Sequence, residues 1–399
     1  MSDAEPTPTP ASTLPADIDE LRAGVRDLCA GFPDAYWRDL DRAREHPTAF
    51  VEAMTRAGYL AALIPREFGG AGLGVAEASV ILEEVNRSGG HSAACHAQMY
   101  VMRALVRHAT PEQQARWLPP LARGDLRLQA FSITEPEAGS DTTAIRTTAQ
   151  RDGDGWVIDG HKNWTSRIET SDLLLVLART TPREELPPSE RTRGLSLFLV
   201  DLREAREQGA IETTPVRTMF NYETYRVTYR GLRVPADALI GREGEGFRAV
   251  IDGWNAERIL LAAEAIGDGR WFVERAVAYA RDRVVFGKPI GANQGVQFPI
   301  ARAHAHIEAA DAMRWRAAAK FDAGEPCGAE ANTAKLLASE ASWEAANVCL
   351  DTHGGNGFVD EWDVERKFRE TRLYQVAPVS NNLILAYLGQ HVLGMPRSY

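Results

Sequence analysis

Residues 131–141 read FSITEPEAGSD. An extended start, FSIT, bends at Pro136 and runs into small and hydroxyl residues, so the chain changes from helix to strand around this point. On its N-terminal side, from residue 17 to about 126, apolar residues recur at three- and four-residue spacing in DIDELRAGVRDLCAGF, TAFVEAMTRAGYLAAL, GVAEASVILEEVNRS and HSAACHAQMYVMRALVRHA. That is the period of amphipathic helices. On its C-terminal side stand short runs of β-branched and aromatic residues, GWVIDGHKNWTS, DLLLVLART, LSLFLVDL and YRVTYRGLRV, divided by Gly, Asp and Pro. These read as strands. Past residue 240 the helical period returns in long Ala-rich segments of roughly 25 to 35 residues, which suit a bundle. The expected organisation is a disordered lead over 1–16, an α-helical domain over 17–129, a small β domain over 130–240 and a helical bundle over 241–399. The charged, Pro-rich segment 181–194 reads as an exposed loop between strands.

A chain of 399 residues with a formal charge of −10 has length for two or three domains and lacks the positive field that nucleic acid or an anionic membrane surface requires. No apolar run approaches the roughly 20 residues of a membrane span. The acidic start MSDAEPTPTPASTLPADIDE resembles neither a signal nor a transit peptide, so a cytoplasmic location is expected. Cys29, Cys95, Cys327 and Cys349 lie too far apart for a zinc knuckle, and reduced, buried thiols are expected. No metal site is indicated.

Four stretches carry groups suited to chemistry. In 131–141, Thr134, Gly139 and Ser140 can turn backbone N–H groups and hydroxyls toward a polar ligand; the alternative is an ordinary strand-to-loop turn. In HKNWTS (161–166) a flat ligand can pack on Trp164 while Ser166 or Thr165 bonds to its edge, unless Trp164 fills the β core instead. In ARDRVVFGKPIGANQGVQF (280–298) Arg281, Arg283 and Lys288 surround a Gly-containing break beside Gln294, and a guanidinium fork suits a diphosphate; a solvated basic helix end is the alternative. THGGNGFVDEWDVERKFRETR places three glycines where the backbone bends or lies close to something else, without the spacing of a dinucleotide fingerprint.

Taken in this order, the four resemble the acyl-CoA dehydrogenase family of flavoproteins. TEPEAGSD is similar to that family's TEPxAGSD signature, RDRVVFGKPIGANQGVQF to its ERxxFGxPIxxxQxVQF element, and GGNGFVDEWDVERKFRETR to its GGxGyxxexxvERxxRDaR element. The resemblance spans roughly residues 17 to 395 and implies a multi-domain α and β fold: an all-α N-terminal domain, a small β-barrel-like middle domain and a C-terminal four-helix bundle. It implies FAD as cofactor, with Phe131, Ile133, Thr134, Gly139 and Ser140 along the ring and diphosphate, Trp164 over the ring and Ser166 at flavin N5. Arg283, Phe286 and Gln294, with Gly354 and Gly355, would reach the cofactor from a neighbouring subunit, so that the protein is a homo-oligomer, a dimer of dimers. Ser380 and Asn382 would contact FAD as well, and Ser140 and Arg258 would touch the acyl-CoA substrate. The implied reaction is α,β-dehydrogenation of an acyl-CoA, with an electron-transferring flavoprotein as acceptor.

One departure bears on mechanism. Many family members carry their base just after the RDaR element, and aligning RETRLYQVAPVSNN (369–382) puts Pro378 there, which removes both a carboxylate and a backbone N–H. No Asp or Glu follows Glu370. A subset that includes isovaleryl-CoA and long-chain acyl-CoA dehydrogenases keeps its base in a run similar to LERLVLA. This chain reads NAERILLAAEAIG, which makes Glu257 the candidate base, with Glu264 in reserve seven residues on, nearly two helical turns away on the same face. The donor to the thioester oxygen is then either the N–H of Val379, after a small backbone shift, or a ribityl hydroxyl of FAD acting alone. The competing readings are a flavin-dependent oxygenase or oxidase on the same scaffold, and a non-catalytic subunit that binds FAD or CoA.

Overall fold

The computed structural model describes residues 14–15 and 17–397, so most of the expected lead over 1–16 lies outside the described residues. Helix α1 (Ile18–Ala30) begins where the Asp17 carboxylate accepts the N–H groups of Asp19 and Glu20, both at 3.0 Å, satisfying donors that a helix start leaves unpaired. It is followed by α2 (Asp34–Ala43), α3 (Thr48–Arg56), α4 (Val75–Arg87), α5 (His96–His108) and α6 (Pro111–Arg123). Helix α6 opens on a reciprocal Thr110–Gln113 cap with Pro111 in its first turn and closes on Gly124 at φ 79°, a conformation that favours glycine.

The middle of the chain is one mixed sheet. Strands β1 (Leu128–Ser132), β2 (Thr148–Asp152), β3 (Gly155–Ser166), β4 (Leu173–Arg179), β5 (Leu195–Asp201), β6 (Ile211–Pro215), β7 (Thr224–Pro235) and β8 (Leu239–Ile240) are ordered β6-β7-β3-β2-β4-β5-β8, with β1 parallel on β4. A short helix, α7 (Leu202–Glu207), follows β5. Strand β4, LLLVLAR, is buried throughout, as an apolar run without alternation predicts. Its Leu173, Leu175 and Leu177 face the core shared with α5, α6 and the helix after the sheet, while Leu174 and Val176 face Trp156, Ile158 and Phe198 on the other side, following the two-residue period of a strand. The 181–194 segment links β4 to β5 and is largely exposed, as its composition suggests.

Helix α8 (Gly246–Asp282) has 37 residues and is about 55 Å long at 1.5 Å per residue. From Ile259 to Gly269 every residue is buried, so it is a central helix rather than an amphipathic surface one. Around it lie α9 (Gln294–Asp322), α10 (Gly328–His353) and α11 (Val364–Thr371), and the chain closes with α12 (Asn381–Tyr387). The N-terminal helices are not a separate core: α4 packs on α8, and one apolar cluster runs from Leu21 through Phe272 to Tyr374. Gly267 permits this, because a Cβ there would stand 2.3 Å from the Glu83 carbonyl oxygen. The four cysteines are buried and unpaired.

Candidate active site

The loop after β1 is held by a buried ion pair that the sequence reading did not single out. Glu135 accepts the N–H groups of Arg146 and Thr147 at 2.6 and 2.9 Å and pairs with Lys162 at 3.0 Å, and Lys162 donates to the Ile133 carbonyl at 2.8 Å. Burial draws the Glu135 carboxyl upward, but Lys162 and the N–H groups outweigh it and leave it below its ordinary range. Burial lowers Lys162 to about 8. Each group is costly alone and stable with the other, so the backbone of 133–138 is fixed. Phe131, Ile133 and Thr134 are half-buried along it, and Gly139 and Ser140 are exposed at its end, with no atom within 4 Å of a Cβ built on Gly139.

The pairing of β3 with β7 is irregular between Lys162 and Thr165, and Trp164 sits there at φ 62°. Its side chain is 56% exposed. The core tryptophan of the β domain is Trp156, which leaves Trp164 as a flat apolar face beside the Gly139 turn's strand. Thr165 is buried and bonded to Ser132 at 2.7 Å, and Ser166 is buried as well, at 8% exposure, its hydroxyl donating to Thr224 at 3.2 Å. An exposed indole, an adjacent hydroxyl and an open glycine turn fit a planar ring with a polar edge.

Glu257 lies on α8 and is 8% exposed. Burial pushes its carboxyl up to about 8; the Arg258 charge opposes this, the Glu264 charge adds to it, and Lys335 and the Tyr100 hydroxyl oppose it again. Arg258 is half-buried, donates to Asn255 at 3.0 Å and lies over the Trp254 ring. Glu264, the reserve, is engaged: one oxygen meets His96 Nδ1 at 2.7 Å and the other accepts from the Tyr374 hydroxyl at 3.2 Å. Tyr374 in turn accepts from Asn86. Glu264 therefore belongs to a buried network that joins α4, α5 and α8.

The acid-free segment packs against α10. Lys335 donates to the Val379 carbonyl at 2.7 Å and to Asn381 Oδ1 at 3.1 Å, and Ser339 donates to the same Asn381 oxygen at 3.2 Å. Ser380 caps α12 by accepting the Leu383 N–H at 3.4 Å, and Asn382 is exposed. Lys335 and Asn381 were missed by sequence reasoning. The signal present was a lysine at helical spacing among the buried alanines Ala331, Ala334 and Ala338, a position where an ammonium needs a partner.

The remaining expected cofactor residues lie at the far end of α8. Arg283 is the residue just after α8, whose last residue Asp282 lies 25 residues beyond Glu257 (282 − 257), about 38 Å at the helical rise. Phe286 is fully exposed, Gln294 is exposed, and Gly354 and Gly355 share this end, where Asn356 donates to Tyr279 of α8 at 3.1 Å. These five residues are not gathered with Trp164 and Glu257 through α8 of a single chain. Among the described residues no helix is long and apolar enough to cross a membrane, and no cluster of three or more potential metal ligands occurs.

Sequence models of the N-terminal, middle and C-terminal domains of acyl-CoA dehydrogenases match residues 15–125, 130–229 and 244–392. The acyl-CoA dehydrogenase FadE12 of Mycobacterium tuberculosis is 35% identical over 384 residues, covering 95% of this chain and 96% of that protein. The mitochondrial short-chain specific acyl-CoA dehydrogenase of Bos taurus is 31% identical, covering 96% and 92%. Among solved structures, a glutaryl-coenzyme A dehydrogenase in complex with glutaryl-CoA superposes with a TM-score of 0.87 at 27% identity, covering 96% of each chain.

Proposed function

The chain belongs to the acyl-CoA dehydrogenase family of FAD-dependent oxidoreductases, and from that premise we propose that Glu257 removes the α-proton of an acyl-CoA thioester in a dehydrogenation whose β-hydride acceptor is FAD. The observation that carries this is the position of Glu257: a carboxyl on α8, buried, flanked by Arg258 and Lys335, in a site whose other wall has no acid after Glu370. An α C–H bond is weakly acidic, so its base must be a carboxylate made more basic by exclusion of water. A group poised near 8 meets that need while still ionising near neutral pH.

The cofactor would be held by the 131–140 loop, with Trp164 against its ring and Ser166 at its edge, and by Ser380 and Asn382. Arg283, Phe286, Gln294, Gly354 and Gly355 would come from a neighbouring copy, which makes a homo-oligomer, built as a dimer of dimers, part of this reading. Ser140 and Arg258 would contact the thioester substrate. Charge that develops on the thioester oxygen needs fixed donors. Pro378 offers none, and the Val379 N–H beside it is the candidate, its own carbonyl being held by Lys335. An electron-transferring flavoprotein would then take the electrons.

The test is an anaerobic screen of acyl-CoA thioesters by flavin absorbance. Wild type bleaches with a suitable thioester, and Glu257→Gln retains FAD without bleaching. Unchanged bleaching by Glu257→Gln overturns the base assignment. Oxygen uptake without an enoyl-CoA product would instead favour the oxygenase reading.

A further inference from the structure

Tyr100 stands on α5 one turn after His96, and the two rings meet edge-on with centres 5.5 Å apart. His96 fixes where this face of α5 points, because its Nδ1 meets the Glu264 carboxyl of α8 at 2.7 Å. One turn further along α5, the Tyr100 carbonyl oxygen lies 3.7 Å from the place a Cβ would take on Gly253 of α8. The two helices therefore pass in opposite senses, with His96 at the level of Glu264 and the Tyr100 backbone at the level of Gly253.

Helical side chains lean toward the N-terminus of their own helix. The Tyr100 ring accordingly leans from the level of Gly253 toward that of Glu264. Glu257, one turn beyond Gly253 on the same face of α8, stands between those levels. The phenol hydroxyl thus comes to the Glu257 carboxyl, close enough to favour its charged form by hydrogen bonding. Tyr100 packs against both the apolar cluster of the helices and the cluster on β4, so its ring is held at the seam between bundle and sheet.

The charged groups that face Glu257 direct their hydrogen bonds elsewhere. Arg258 on α8 donates to Asn255, Lys335 on α10 donates to Val379 and Asn381, and Glu264 is bonded to His96 and Tyr374. From the β domain Arg167 and Tyr222 face Tyr100. Burial and the Glu257 charge hold the Tyr100 hydroxyl well above 10, so toward a carboxylate it is a donor. A base on a flexible stem has to be held at the C–H it attacks, since a misplacement of about 1 Å costs about a hundredfold in rate.

We propose that Tyr100 is the positioning residue of the base: from α5 its hydroxyl donates to the ionised Glu257 carboxylate, and it keeps its own proton while Glu257 takes the α-proton of the thioester. This rests on Glu257 as the base, and the pair itself is tested without substrate.

The experiment is an infrared pH titration of holoenzyme free of substrate. The protonated-carboxyl band that Glu257→Gln removes belongs to Glu257, and its midpoint is compared in wild type and Tyr100→Phe. Phenylalanine keeps the ring and its packing, so a merely structural tyrosine leaves the midpoint unmoved. Loss of a hydrogen bond to the charged form moves it up by about one pH unit, a tenfold change, or more. The alkaline limb of anaerobic flavin bleaching moves with it, so that the Tyr100→Phe rate at pH 7 falls about tenfold while FAD content and the thioester concentration for half-maximal rate stay as in wild type. An unmoved infrared midpoint overturns the proposal. A midpoint that moves beside a bleaching limb that does not overturns it through its premise, because the pair then exists and Glu257 is not the base.

Discussion

Replacing Glu257 by Gln should stabilise the protein, and the gain should grow with pH. The folded carboxyl is raised to about 8, first by burial, from the ordinary 4.5. Between those values the unfolded chain has released the proton and the folded chain still holds it. The unfolded state then binds fewer protons, so stability falls as pH rises. The favourable contribution is complete below 4.5 and gone above about 8. The interval from 4.5 to 8, at about 1.4 kcal/mol for each pH unit, sets an upper figure of about 5 kcal/mol.

Glutamine keeps the shape and has no charge to bury. Thermal unfolding of wild-type and Glu257→Gln holoenzyme, followed by flavin and tryptophan fluorescence from pH 4.5 to 9, should give melting points that agree at the acid end and separate by several degrees at the alkaline end. The rate of anaerobic flavin bleaching should run the other way in wild type. With a base near 8, about a tenth is ionised at pH 7, so the rate should rise roughly tenfold by pH 9. A difference in melting point that is constant or shrinks with pH would refute the argument, as would a bleaching rate already flat above pH 6.

Four further outcomes are expected. Trp164→Ala should weaken FAD binding by about tenfold while far-ultraviolet circular dichroism of the apoprotein stays unchanged, because the ring supports no core. Glu135→Ala should destabilise by about 3 to 5 kcal/mol in urea by leaving Lys162 buried and unpaired, and Glu135→Gln with Lys162→Met should recover much of that loss. Phe286→Ser combined with Phe298→Ser, the second an exposed ring in the first turns of α9 beside Gln294, should shift the species seen by light scattering toward monomer and lower FAD content together. Lys335→Met removes a charge that favours ionised Glu257, so the alkaline limb of the bleaching profile should move upward in pH with FAD retained; an unmoved limb would detach Lys335 from the base.

How far the residues could be read in advance depended on whether their signal was local. The strand and helix periods around residues 131–141 are local, and so is the Pro378 substitution that directs attention to Glu257. The shared core was not readable, because α8 from Ile259 to Gly269 is buried on every side, and a helix without a polar face does not say what covers it. The residues alone left Thr165 and Ser166 open, with Ser166 favoured only by the resemblance, for a related reason: the irregularity between Lys162 and Thr165 breaks the two-residue alternation by which a strand's inner face is read. Glu135 with Lys162 and Lys335 with Asn381 are pairs across 27 and 46 residues, and a lone charge in a sequence does not announce its distant partner.

The 369–382 segment is therefore more than a wall that has lost its acid. Its Val379 carbonyl and the Asn381 side chain are held by an ammonium that burial, with the Arg258 charge, lowers to about 7, while burial raises Glu257 toward 8. Each group favours the charged form of the other against the desolvation that disfavours both. If the base sits on α8, the ammonium that steadies the Val379 backbone also tunes the carboxylate that would face it. With the base on α8, the chain after Pro378 would still bear on the proton chemistry through Lys335, whose ammonium its Val379 carbonyl and Asn381 oxygen accept, beside any donation by the Val379 N–H.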